Sequence, residues 1–147
     1  MALKGKRMIF ADSCVGKVQE RAANEAGILP GSLVKDAATG FDQSTDAAAV
    51  FGAPTLIADY NFLQAGSVDD AYALGDQVYA RVLGKDEYAN VLVASGQNIT
   101  TLNTPLTRNG DGSLKIAATD GSEAILCYAN EIINTGASAQ LVSVRGE

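Results

Sequence analysis

At 147 residues with a formal net charge of −6, the chain is long enough to bury a core without a disulfide framework, and acidic enough to disfavour nucleic acid over most of its surface. Histidine is absent, and the two cysteines, Cys14 and Cys127, form no C-x-x-C, which excludes zinc of the usual kind and leaves Ser/His and Cys/His nucleophiles without an imidazole. Nearly half the residues are apolar, but Ala and Gly supply much of that and Trp is missing, so burial per residue is modest and association with other chains is an expected source of stability.

In chain order, Met1 to Ala11 interleaves Lys4, Lys6 and Arg7 with Met8, Ile9 and Phe10. This reads either as an arm that grips an acidic protein surface or as a solvated terminus. It lacks a long apolar segment with a small-residue cleavage site, and no stretch of the chain is long enough to span a bilayer. Asp12 to Ala26 fits a short helix capped by Ser13, with a strand over Cys14 to Gln19 as the alternative. Two free buried thiols are expected at Cys14 and Cys127, a bridge between them being the minor alternative. Pro30-Gly31 signals a turn, because Pro presets φ at one position and Gly accepts positive φ at the next. Lys35 to Val50 has the composition of a long surface loop, and Pro54 to Tyr60 that of a strand with Pro at its start. In the loop from Asn61 to Asp70, Phe62 and Leu63 are either packed beneath it or contact anchors.

The clearest pattern lies between Gly75-Asp76, a turn, and Ser95 to Asn98. Val78, Ala80 and Val82 alternate with Gln77, Tyr79, Arg81 and Leu83, and the alternation resumes from Tyr88 to Ala94. With Gly84 to Glu87 as a four-residue loop, the two strands pair as a hairpin that sets Val82 opposite Ala89, Ala80 opposite Val91 and Val78 opposite Val93. Further on, Asn109-Gly110-Asp111-Gly112 predicts a bulged hairpin with Leu106 facing Ile116 and Asn109 facing Ser113. Asp120-Gly121-Ser122 is another turn, Ala124 to Ala129 reads as a central, doubly covered strand, and Gln140 to Arg145 alternates again with Val142 and Val144 on one face. The expected fold is mainly β: a small β-barrel or β-sandwich over residues 12–147, with an extended N-terminal arm over 1–11 and at most one or two short helices.

The chemistry-bearing residues form no catalytic set. Asp69 and Asp70 are adjacent, so in a strand their carboxylates point to opposite faces and in a loop they face water. The run from Asn109 lacks the remaining ligands and the closing Glu of a calcium loop, and no phosphate-binding glycine motif occurs. Lys85 sits on a predicted loop tip but in Gly-Lys-Asp-Glu, not in the two-residue turn of a lipoyl or biotinyl carrier. These readings predict a scaffold that is not an enzyme and takes no cofactor or metal.

Taken in sequence, Ala26 to Val34, Leu56 to Asn61, Gly75 to Val78, Leu92 to Ile99 and Asn109 to Leu114 resemble the head decoration, or cement, proteins of tailed bacteriophages. The resemblance covers about Ala26 to Ile116. It departs after Asn98, where Leu102-Asn103-Thr104-Pro105 stands in place of a Gly before the following Leu; Asn103 can supply the positive φ the turn needs. The resemblance implies a β-tulip-like homotrimer, made in the host bacterial cytoplasm, that sits on the outer capsid surface and stabilises the head by bridging major capsid protein subunits. The implied partners are the major capsid protein and the chain itself, with neither nucleic acid nor membrane. On this reading Lys4, Lys6, Arg7, Ile9 and Phe10 lie along the capsid, and removing the residues before Asp12 weakens head binding while the body stays folded. Phe62, Leu63, Tyr79 and Tyr88 are the candidates for self-association. A tail or spike module and a β-clip enzyme are the alternatives.

Overall fold

Small and β-branched residues repeating at period two place one side chain in the core and the next outside, and the chain folds accordingly into short strands. The structure, a computed structural model, describes residues 6–10, 18–61 and 64–147. Five strands, β1 (Val18–Ala22), β2 (Leu33–Ala37), β3 (Gly40–Gln43), β4 (Leu56–Ala58) and β5 (Gln77–Val82), form an antiparallel sheet in the order β1-β5-β4-β2-β3. The sheet curls until Ala23, just past β1, bridges Phe41 of β3, and the Asn24 N–H donates to the Phe41 carbonyl at 2.9 Å. An ion pair of 2.7 Å between Arg21 and Asp36 spans the same closure.

The rest of the chain supplies β6 (Tyr88–Val93), β7 (Asn98–Ile99), β8 (Pro105–Arg108), β9 (Leu114–Ile116), β10 (Cys127–Ala129), β11 (Ile133–Asn134) and β12 (Gln140–Gly146). Of these, β10-β12-β6-β9-β8 close a barrel, and β7 pairs with β11 in a two-stranded ribbon. The protein is therefore mainly β, with a closed five-stranded barrel. Closure removes the exposed edges of an open sheet. Ala89, Val91 and Val93 on β6 and Val142 and Val144 on β12 fill the barrel, and the junction between β6 and β9 is parallel, at Val93 and Leu114.

Two apolar clusters result. Val34, Phe41, Leu56, Ala58, Tyr72, Val78 and Ala80 fill the curled sheet. Leu33 and Ile57, pointing to the opposite face of the same sheet, join the barrel cluster instead. All three residues of β4 are buried for this reason, one face of the strand serving each core.

Three expectations are corrected. Val18–Ala22 is a strand, not helix: with Val18 exposed there is no packed apolar face for a helix, and the edge of β5 captures the segment along its length. The predicted loop over Lys35 to Val50 contains most of β2 and all of β3, paired from Val34–Gln43 to Ala37–Gly40, with Phe41 fully buried. The polar composition concealed a single large apolar anchor. Finally, β5 and β6 are strands but not partners. The Gly84–Glu87 turn forms, yet Gly146 enters it, its carbonyl accepting from Asp86 N–H at 3.0 Å and its N–H donating to Glu87 at 2.8 Å. This brings β12 alongside β6, with Val144 opposite Ala89 and Val142 opposite Val91, while β5 pairs with β1 and β4.

The hairpin and turn readings hold. Leu106 faces Ile116, the Asn109 N–H donates to the Ser113 carbonyl at 2.9 Å, and Gly112 has φ +86°. Asn103 takes φ +64°, as its turn requires. Cys127 is a free, buried thiol, and Cys14 lies outside the described residues. The Ala124 to Ala129 strand is central, with β10 between β8 and β12, but shorter than its apolar run, and Ile125 and Tyr128 are half-buried.

The predicted Pro30-Gly31 turn is the joint between sheet and barrel. Ser32 N–H donates back to the Leu29 carbonyl, Gly31 N–H to Ala58 and Leu92 N–H to the Gly31 carbonyl, the last at 2.8 Å. Gly31 has φ +85°, and a Cβ there would overlap Leu141 Cδ2 and crowd the Asn90 carbonyl. Gly75, at φ +83°, has open space around the same position. Gly75→Ala should therefore lose about 1–2 kcal/mol of unfolding free energy from backbone strain alone. Gly31→Ala should lose roughly 1–3 kcal/mol more from overpacking, as measured by urea denaturation.

Candidate interaction surfaces

Of the arm residues, Lys4 lies outside the described segment, and residues 6–10 lie against the body. Lys6 pairs with Glu131 at 3.0 Å. Met8 and Ile9 run beside β6, where the Met8 carbonyl accepts from the Asn90 side-chain amide at 2.7 Å and the Ile9 carbonyl from the Asn90 N–H at 2.7 Å. Ile9 is 0% exposed, a member of the barrel core, and Phe10 packs against that core with the Arg81 guanidinium 5.7 Å from its ring centre. Arg7 and Met8 remain outward, Met8 at 46% exposure. Removing everything before Asp12 would thus take a core side chain from the barrel together with the outward residues.

Arg81 is held in turn by Asp59, Nε to Oδ2 at 3.4 Å. Burial pushes the Asp59 carboxyl above its ordinary value of 3.8, against the opposing pull of the Tyr60 N–H and of Arg81.

Among the self-association candidates, Phe62 and Leu63 lie outside the described residues, and Tyr79 is buried. Tyr88 is 48% exposed and belongs to a feature that sequence reading missed. In the barrel ladder Tyr88 is opposite Arg145, Arg145 opposite Tyr128, and Tyr128 opposite Pro105. Cross-strand partners share a face, so these four residues line up on the outside of β6, β12, β10 and β8 while their neighbours Ala89, Val144, Cys127 and Leu106 point inward. Arg145 is fixed in this row: its guanidinium lies 5.1 Å from the Tyr128 ring centre and donates to Asp86 at 2.9 Å and to the Asn103 side chain at 3.4 Å. A planar cation stacked on one tyrosine and flanked by another is a rigid, amphipathic contact surface. The alternation of each strand marked these residues as outward, but only the pairing of β12 between β6 and β10 makes them neighbours.

Two measurements follow. Ile9→Ala should lower the unfolding free energy by about 2–5 kcal/mol, whereas Arg7→Ala should stay within about 0.5 kcal/mol of the parent. For Asp59, the folded state holds the proton more tightly than the unfolded chain does. Its contribution to stability therefore rises as pH falls from neutrality and levels off below the ordinary value of 3.8. The difference in urea midpoint between Asp59→Asn and the parent should move in the parent's favour across that range; a difference independent of pH would contradict the raised carboxyl.

Compared with protein-family models and with curated proteins, the chain matches none.

Proposed function

We propose that this protein is a structural virion component that binds the outer surface of a tailed-phage capsid and stabilises the head by bridging major capsid protein subunits, acting as a homotrimer. It does no chemistry on a substrate in this reading; it works by presenting rigid surface. The observation that carries the proposal beyond the sequence resemblance is the outward row Tyr88, Arg145, Tyr128 and Pro105 on the closed barrel. Tyr and Arg are the residue types that dominate binding energy at protein interfaces, and here they are held on strands, so little conformational freedom is left to lose on contact. Arg7 and Met8, on a segment anchored by Ile9, offer a second outward contact.

Mixing the purified protein with undecorated heads should give co-sedimentation, with density added to the outside of the imaged particles. Tyr88→Ala and Arg145→Ala should each weaken binding by about thirtyfold, the scale of a 2 kcal/mol interface anchor, while Gln19→Ala on β1 leaves it unchanged. A protein that stays in the supernatant and remains monomeric on sedimentation would overturn the proposal. Rings or fibres without head binding would move it to a tail or spike module.

A further inference from the structure

The curled sheet has a gap. β2 and β4 pair at Leu33–Ile57 and Val34–Leu56, and Pro54, lacking an N–H, cannot carry the ladder further. A cleft of about 410 Å³ opens there, with Val34, Pro54 and Leu56 as apolar lining and Lys35, Asp46 and Arg108 as charged lining. That volume lies in the range of small-ligand sites.

The charges in the cleft are unevenly matched. Arg108 is only 3% exposed, and its guanidinium donates to two main-chain carbonyls, Val50 at 2.9 Å and Ala53 at 3.2 Å. Among the described residues it forms no ion pair. Lys35 reaches Asp46 at 3.7 Å and donates to the Thr45 hydroxyl at 2.9 Å. Asp36, also at the cleft, is engaged by Arg21 at 2.7 Å. Asp46 therefore pairs with Lys35 and acts on Arg108 only from beyond ion-pair distance. A buried guanidinium with neutral partners retains a charge that an incoming anion can neutralise, at an energy that low polarity increases.

We propose that this cleft binds a carboxylate carried on a short aliphatic body, with the head group held by Arg108 and Lys35 in competition with Asp46 and the body against Val34, Pro54 and Leu56. The inference is independent of capsid binding. Two sources share this chemistry, a free organic acid and the C-terminal residue of a polypeptide, and the probes separate them: hexanoate for the first, N-acetyl-leucine for the second, and hexanamide as the uncharged control.

Titrations followed through the backbone amides of Val34, Lys35 and Leu56 and the Arg108 Nε–H by ¹H–¹⁵N correlation should show saturable shifts at millimolar concentration with at least one acid. The amide control should bind about tenfold or more weakly, the scale of one charge-assisted contact. Asp46→Asn, which removes the resident competitor, should tighten acid binding, and Lys35→Gln should weaken it. Both side chains are at least partly exposed, so neither variant opens a cavity, and retention of the parent spectrum elsewhere checks the fold. If Arg108 serves only to pin the 50–53 segment, neither acid gives a saturable shift, or acid and amide bind alike, or Asp46→Asn fails to tighten binding. Any one of these results overturns the proposal.

Discussion

The contact on which the remaining architecture depends is the approach of the Gly31 main chain to β6. Leu92 donates to its carbonyl, its own N–H goes to Ala58, and the space a side chain would occupy is filled by Leu141. The curled sheet and the barrel are fused at main-chain distance here. Neighbouring contacts reinforce the joint: Leu33 N–H donates to the Gly112 carbonyl at 2.7 Å, and the Gln43 side-chain amide to the Asp111 carbonyl at 2.7 Å. With Leu33 and Ile57 crossing into the barrel core, each removes apolar surface from water worth about 1.5–3 kcal/mol. Parting the two assemblies would expose those side chains and exchange the main-chain bonds of the joint for bonds to water, a net loss of about 0.5–1.5 kcal/mol for each bond.

What could be read from the sequence was local. The hairpin from Leu106 to Ile116 closes through its own glycines and Asn109, so register followed from residues a few positions apart. The faces of β5 and β6 were also legible, because alternation needs only a strand and a core. Their partners were not. Val78 and Ala80 lie in one core and Ala89, Val91 and Val93 in the other, so two apolar faces that look complementary never meet. Val142 and Val144 offer β6 an equally apolar face from much later in the chain, and periodicity has no term for that competition. The short helix over Asp12 to Ala26 failed in its described part for a related reason: propensity is a weak prior, and the edge of β5 outweighed it.

The candidate surfaces show the same division. Lys6, Arg7, Met8, Ile9 and Phe10 stood out as a basic, apolar run, and the structure divides them by role: Ile9 and Phe10 bind the segment to the body, Lys6 pairs with Glu131, and Arg7 and Met8 face outward. The row through Tyr88, Arg145, Tyr128 and Pro105 had no sequence signature, since its members become neighbours only when the barrel closes. Nor did the Arg108 cleft. A lone arginine in a strand reads as outward-facing, and here it is turned under the 50–53 segment, whose carbonyls it holds.

The place of β12 in the barrel bears on how the molecule is made. It lies between β6 and β10, both earlier in the chain, so neither of those strands has its full set of partners until the last ladder arrives. The β8–β9 hairpin nucleates within its own few residues, whereas joining β12 to β6 means closing a much longer loop, a step that slows folding. A nascent chain that has reached β10 carries open, apolar strand edges, and such edges are the usual route to aggregation. Capture of β12 is therefore the step that covers those edges, and its rate sets how long the chain stays open to association with other copies.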